Sequence, residues 1–162
     1  MGLTTADFCD THSGAESLQI AEPSVLTHYG GKQAFGGLIT TIRCFEDNSL
    51  INHVLAEPVQ DRVLVIDGGG SHRCALINAE LAEIAQKNGW QGIILYGCVR
   101  DTALLQNIPI GICALHAHPA PCHGKEVGER DVLVTFAGVN FRKDHYLFAD
   151  NDGIIVSDTM LS

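Results

Sequence analysis

The chain is short of positive charge and has no long apolar run, no paired-cysteine motif and no nucleotide fingerprint. Each shortage removes a class of function. Ten Lys and Arg stand against nineteen Asp and Glu, for a formal net charge of -9, and the basic residues form no cluster. Phosphate backbones are bound by basic surfaces, so nucleic acid is not an expected direct partner. No apolar stretch reaches the roughly 20 residues that a membrane-spanning helix needs. The amino end, Met1-Gly2-Leu3-Thr4-Thr5-Ala6-Asp7, has neither the basic region nor the apolar core of an export signal. A cytoplasmic protein with no membrane partner is the expectation. Cys9, Cys44, Cys74, Cys98, Cys113 and Cys122 are scattered without any Cys-x-x-Cys. They are expected to be reduced thiols that pack as small hydrophobes, with no structural zinc among them.

What is present is enough apolar sequence, 46% of 162 residues, for one sizeable core, so residues 1–162 are expected to form a single domain. Its centre is the stretch from Val63 to Asp101. Val63-Leu64-Val65-Ile66-Asp67 is β-branched and apolar on both faces, as a strand covered on both sides must be. Gly68-Gly69-Gly70-Ser71 follows as a permissive turn. Its spacing fits neither Gly-x-Gly-x-x-Gly nor Gly-Lys-Ser/Thr, which argues against dinucleotides and ATP. Ile77, Leu81, Ile84 and Ala85 form one stripe of a helix expected from about Cys74 to Lys87, closed by Asn88-Gly89. Gly92 to Tyr96 is a second buried strand, and Gly97-Cys98-Val99 carries it to Arg100-Asp101. The segment reads as a parallel β-loop-α-β unit that delivers a cation and a carboxylate to a strand's carboxyl end.

Before it, a short helix around Thr5 to Asp10 is capped by Thr4 or Thr5, Leu38 to Cys44 is a strand, and Leu50, Ile51, Val54 and Leu55 are the buried face of a helix capped by Asn48 or Ser49. After it, Thr102 to Leu105 forms a helical turn or two, and Ile110 to Leu115 is a strand. Short strands then follow at Asp131 to Phe136, Val139 to Phe141, His145 to Phe148 and Ile154 to Ser157, a β-rich half beside an α/β half.

Arg100-Asp101 is the leading candidate for chemistry. An arginine fork suits a carboxylate, and an adjacent aspartate suits a hard divalent ion. The bland alternative is a surface ion-pair residue next to an N-cap for the helical turn from Thr102. His116, His118, Cys122 and His123 offer zinc-ligand side chains, but their spacing matches no standard zinc pattern, so a histidine-rich solvent loop is the simpler reading. Glu126, Glu129, Arg130 and Asp131 read as a solvated charge run, and Asp150-Asn151-Asp152 as a turn.

Several of these segments together resemble one family. Tyr29-Gly30-Gly31 with Phe35-Gly36-Gly37, Arg43-Cys44-Phe45-Glu46-Asp47-Asn48, Val63 to Ser71, Tyr96-Gly97-Cys98-Val99-Arg100-Asp101 and Tyr146-Leu147-Phe148-Ala149-Asp150 are its marks. The chain resembles, over nearly its whole length, the regulator of ribonuclease activity A and the short metal-dependent 4-hydroxy-4-methyl-2-oxoglutarate aldolases. The resemblance implies an α/β fold of the swivelling β/β/α type, assembled as a homotrimeric ring. In the aldolase branch it implies Arg100 as the clamp on the carboxylate of a 2-oxoacid and Asp101 as the anchor of magnesium or manganese. It also implies backbone amides at Asn78, Ala79, Glu80 and Leu81 as a substrate cradle. Retro-aldol cleavage and oxaloacetate decarboxylation are then two outcomes of one lyase site.

The chain departs from the aldolase pattern at Asn78-Ala79, where those enzymes carry Gly-Asp and the aspartate orients a water for proton transfer. Ala79 has no such side chain, and Glu80 next to it points about 100° away around a helix. Asn78-Ala79-Glu80-Leu81 is closer to the regulator branch, whose members bind and inhibit RNase E. Asp101 points back to the aldolases. The expected function is therefore a lyase on 4-hydroxy-2-oxoacids or oxaloacetate, and the alternative is a protein that works by contact with RNase E. A quinone-precursor methyltransferase is set aside, because no S-adenosylmethionine loop with an acidic residue at the next strand end is present.

Overall fold

The computed structural model of the chain describes residues 3–12 and 18–160. The ends of the expected 1–162 domain and residues 13–17 lie outside them. In order the elements are α1 (Thr5–Thr11), β1 (Leu18–Ile20), β2 (Thr27–His28), β3 (Phe35–Arg43), α2 (Ser49–Leu55), β4 (Arg62–Asp67), β5 (Ala75–Ile77), α3 (Ala79–Lys87), β6 (Trp90–Val99), α4 (Thr102–Leu105), β7 (Gly111–Ala117), β8 (Glu129–Arg130), β9 (Val134–Phe136), β10 (Val139–Phe141), β11 (Tyr146–Asp150) and β12 (Gly153–Ser157). The long sheet runs β1-β12-β11-β3-β4-β6-β7-β2, with β5 also paired to β6 and β8 to β3. Its centre, β3-β4-β6-β7, is parallel, and the flanking pairs β3-β11, β11-β12, β12-β1 and β7-β2 are antiparallel.

Alternation along the central strands explains the layers. Leu64, Ile66, Ile93 and Leu95 face α2, α3 and α4, packing on Ile51, Val54, Leu55, Leu81, Ala82 and Leu105. Val63, Val65 and Ile94 face the other way, onto Val134 and Phe136 of β9 and Val139 and Phe141 of β10. Both faces of the sheet are thus covered, as its near-continuous apolar strands require. Gly37 on β3 marks a close approach, since a Cβ there would lie 2.0 Å from the Asp61 carbonyl oxygen.

Three expectations change. The helix starts at Ala79, not near Cys74, because Ala75–Ile77 pairs with β6 as a short strand and Asn78 caps the helix by accepting the Leu81 N–H at 2.8 Å. Ile77 is therefore a strand residue. Asn48 sits at the N-cap of α2 but its side chain makes no capping bond; the first α2 amide, Ser49 N–H, donates instead to the Asp47 carboxylate at 2.9 Å, which also accepts from the Val127 N–H at 2.7 Å. The charge run is not fully solvated either, since Glu129–Arg130 pairs with β3 and Arg130 forks onto Glu57.

Burial works against ionisation of Asp47, yet the Ser49, Val127 and Lys125 backbone N–H groups hold its carboxyl down at about 2. A depressed carboxyl contributes stability above its unfolded value and loses it as pH falls through the folded one. Asp47→Asn should cost about 2 kcal/mol near neutral pH, with the gap to wild type closing between about pH 4 and pH 2. Denaturant titrations across that range check it; a constant gap would contradict the assignment.

Cys74 and Cys122 form a disulfide across a sequence separation of 48. This corrects the expectation of reduced thiols for that pair. The free Cys44 and Cys113 follow it: both are buried and pushed up to about 12, Cys113 by burial and Cys44 by burial and then by Asp47 and Asp67. Both pack in the core as small hydrophobes, as the sequence leads one to expect. Cys122→Ser should lower stability by about 2–4 kcal/mol, because the open chain regains loop entropy when unfolded. A denaturation midpoint unchanged by the substitution and by dithiothreitol would show that the bond contributes nothing.

Candidate active site

The site lies where β6 and β7 end. Val99 and Ala117 are register partners on these strands, so Arg100 and His118 leave the sheet side by side. The Arg100 N–H donates to Ile77 O at 2.9 Å, which extends the β5 pairing to the residue before Asp101. Asp101 then turns into the left-handed region, with φ 62°, a conformation that aspartate and asparagine tolerate better than most residues. That turn puts Asp101 at the N-cap position of α4, whose Leu104 and Leu105 amides bond to its carbonyl. The side chain goes elsewhere: its Oδ2 accepts the Ala79 N–H at 3.0 Å. The Asp101 side chain thus caps α3 across space, while α4 receives only its carbonyl.

Arg100, Asp101, Thr102, Ala103, Leu104, Ala117, His118 and Pro119 line a cleft of about 530 Å³. Its floor and walls are mostly apolar, with a guanidinium, a carboxylate, a hydroxyl and an imidazole as its polar groups. Of the amides expected to cradle substrate, those of Ala79 and Leu81 already bond to Asp101 and Asn78. Ala79 is buried and Glu80 exposed. The glycine loop bends back on the sheet: Gly68 and Gly70 donate to Tyr96 O at 3.1 Å and Gly69 to Asp67 Oδ1 at 2.9 Å. These amides are consumed internally, which accords with the absence of a nucleotide fingerprint.

The histidine-rich segment separates into parts. The His116 ring lies 4.9 Å from that of His72 on the glycine loop. His118 lines the cleft, Cys122 is in the disulfide, and His123 is exposed. Among the described residues no three His, Cys, Asp or Glu side chains gather as a metal site. An ion here would draw one carboxylate from the protein, Asp101, with the Oδ1 oxygen left for it once Oδ2 holds Ala79. That donor set suits magnesium or manganese, which take one or two carboxylates and fill the remaining positions with water and substrate oxygens. It does not suit zinc. The sequence reading passed over His118 as part of a loop; its signal was the His-Pro step directly after a strand.

Residues 5–156 match the family model described as Aldolase/RraA. The chain belongs to this RraA-like family. A relative from Methylococcus capsulatus, provisionally named a 4-hydroxy-4-methyl-2-oxoglutarate aldolase, is 56% identical over 161 residues, 99% of each chain. One from Alkalilimnicola ehrlichii with the same name is 47% identical over 99% of this chain and 98% of its own. The solved structure of the RNA-processing inhibitor RraA from Thermus thermophilis superposes with a TM-score of 0.93 at 38% identity, covering 100% of this chain and 96% of that one. That of an S-adenosylmethionine:2-dimethylmenaquinone methyltransferase from Geobacillus kaustophilus gives 0.92 at 39% identity, covering 98% and 96%. The RraA-like fold expected from the sequence is the fold observed. No helix among the described residues is long and apolar enough to cross a membrane.

Proposed function

We propose that this RraA-like chain is a divalent-metal-dependent lyase of the cytoplasm, working as a homotrimer. It would cleave 4-hydroxy-4-methyl-2-oxoglutarate to two pyruvates and decarboxylate oxaloacetate to pyruvate and carbon dioxide. The observation that carries this is the adjacent Arg100 and Asp101 at the carboxyl end of β6, both lining one cleft. The names of the similar proteins from M. capsulatus and A. ehrlichii support it.

In this mechanism the Arg100 fork takes the substrate's 2-oxo carboxylate through two parallel N–H···O bonds and sets the orientation of the bond to be broken. Asp101, braced by the Ala79 N–H, would hold the ion, and with the Ala79 and Leu81 amides already bonded the Glu80 amide in the first turn of α3 would be left for a substrate oxygen. A magnesium or manganese ion held there supplies Lewis-acid stabilisation of negative charge on the keto oxygen. Retro-aldol cleavage also needs a group to take the proton of the C4 hydroxyl, and Ala79 offers none. Decarboxylation has no such requirement, so oxaloacetate should be the better substrate.

The same residue favours a second reading. With Ala79 at the position of the aldolases' aspartate and a net charge of -9, the chain would act by contact with basic segments of RNase E. Pyruvate release from each substrate, followed by coupling to lactate dehydrogenase, separates the two. Release above the metal-only blank supports the lyase. No release from either substrate, with RNase E retained on the immobilised protein at moderate salt, supports the regulator.

A further inference from the structure

Every residue that lines the cleft, from Arg100 to Pro119, falls in sequence between Cys74 and Cys122, which are bonded to each other. The bond closes a covalent loop that contains β5, α3, β6, α4 and β7. The pairing of these strands decides what the bond holds. Cys98 and Val99 of β6 pair with Ala75 and Ile77 of β5 and also with His116 and Ala117 of β7, so β5 and β7 lie on opposite sides of β6. Residues 118–122 leave β7 and must therefore cross β6 to reach Ala75. There the Ala75 N–H donates to Ala120 O at 2.8 Å and the Cys122 N–H to Ala75 O at 2.9 Å. They form a strap across the end of β6, and its first residues, His118 and Pro119, line the cleft.

The strand to which the strap is fastened also positions the charged pair. β5 is only three residues long; the Arg100 N–H donates to Ile77 O at 2.9 Å, and the Ala79 N–H, two residues on, donates to Asp101 Oδ2 at 3.0 Å. Without the disulfide, the strap keeps three backbone bonds to its neighbours, the two at Ala75 and that of the His118 N–H to Val99 O. Each is modest against competition from water, so a strap held by three of them opens locally far more often than a cross-linked one. The bond is buried, but Arg73, Pro121 and His123 beside its cysteines are exposed, so it lies one residue below the surface. Exchange with other cysteines is disfavoured. Cys44, Cys98 and Cys113 are buried and burial opposes the ionisation that attack on a disulfide requires, while Cys9 is on α1, which packs on β11 and β12. Reduction thus leaves two thiols beside each other, and reoxidation restores the same bond.

We propose that Cys74–Cys122 is a redox latch on the cleft, opened by a dithiol reductant and closed by a disulfide oxidant. The cytoplasmic location proposed for the chain puts the bond among thiol pools, where disulfides are rare and those present are mostly transient. A thiolate of the dithiol attacks one sulfur of the bond, forming a mixed disulfide with that cysteine and freeing the other, which takes a proton. The second thiol of the reductant then displaces the remaining cysteine. Two electrons and two protons pass to the pair, and the reductant leaves as its own disulfide. The freed strap moves off Ala75, and the cleft loses its His118 and Pro119 lining together with the bracing of Arg100 and Asp101 through β5. The oxidised chain has a preformed cleft and the reduced chain a loose one. The latch rests on the lyase reading only for what the cleft binds.

The test reads the strap and the cleft separately. The full chain is incubated under native conditions with reduced dithiothreitol, new thiols are alkylated and located by mass, and amide hydrogen exchange and pyruvate release from oxaloacetate with magnesium are measured on the same sample. Cys74 and Cys122 should both become alkylated. Exchange at the Ala75 and Cys122 amides should rise by roughly tenfold or more, with β3 and α2 unchanged, and pyruvate release should fall by a similar factor. Oxidised glutathione should restore both. Cys122→Ser should show the fast exchange and the low rate with or without dithiothreitol. A bond that dithiothreitol opens only in denaturant, or exchange at Ala75 and Cys122 that reduction leaves unchanged, would overturn the latch and leave a structural cross-link. Faster exchange with an unchanged rate of pyruvate release would overturn its control of the cleft. Faster exchange in a protein whose oxidised form releases no pyruvate would overturn the lyase reading and leave the latch standing on a cleft for another ligand.

Discussion

Asp101→Asn should abolish metal-dependent pyruvate release while leaving the fold in place. Asparagine keeps an oxygen for the Ala79 N–H and tolerates the φ of 62° at this position, so the cap on α3 and the turn into α4 both survive. What it loses is the negative charge. Lewis-acid stabilisation is worth several kcal/mol, so its loss should reduce the rate by about a thousandfold. Asp101→Ala is a poorer probe, because it also removes the cap and places a residue with a Cβ and no local hydrogen bond in the left-handed region. A wild-type rate in Asp101→Asn would sink the assignment of the ion to this carboxylate.

Arg100→Ala should show the second large effect, and mainly in substrate capture. The guanidinium lines the cleft while its own backbone is fixed by the bond to Ile77 O, so truncation leaves the neighbouring main chain in place. Removing a charge-assisted pair that orients the ground state should raise KM by roughly a hundredfold, with a smaller fall in kcat. Arg100→Lys should recover only part of it, since an ammonium is a point charge and cannot make two parallel bonds to one carboxylate. Steady-state kinetics on oxaloacetate check both. A kcat loss at unchanged KM would mean that Arg100 acts on the transition state and does not hold the substrate's carboxylate beforehand.

The part of this architecture that is legible in the sequence is the part decided locally. Val63 to Asp67 and Gly92 to Val99 read as buried parallel strands because both faces are apolar, and their order with α3 puts Arg100-Asp101 at a carboxyl end. The features that escaped are those that tertiary contacts decide. Ala75 to Ile77 continues the apolar pattern of α3, and only pairing with β6 makes it a strand, with Asn78 as the true start of the helix. Cys74 and Cys122 are far apart in sequence; they meet because residues 118–122 return along Ala75. Asp47 caps α2 from outside the helix and ties it to Val127, a contact no window of neighbouring residues contains. His118 looked like one member of a histidine-rich loop until the β6-β7 register set it beside Arg100. In the candidate cleft, then, the charged pair was readable and the imidazole beside it was not.

Restoration of activity after removal of metal tests the central claim most directly. The purified protein, treated with chelator and returned to magnesium or manganese, should release no pyruvate from oxaloacetate in the first state and regain full release in the second, beyond the rate of the ion alone. The Asp101→Asn protein should stay at the level of the ion alone. Pyruvate release that persists in chelator, or that the ion restores equally in Asp101→Asn, would contradict a metal-dependent lyase site at the end of β6.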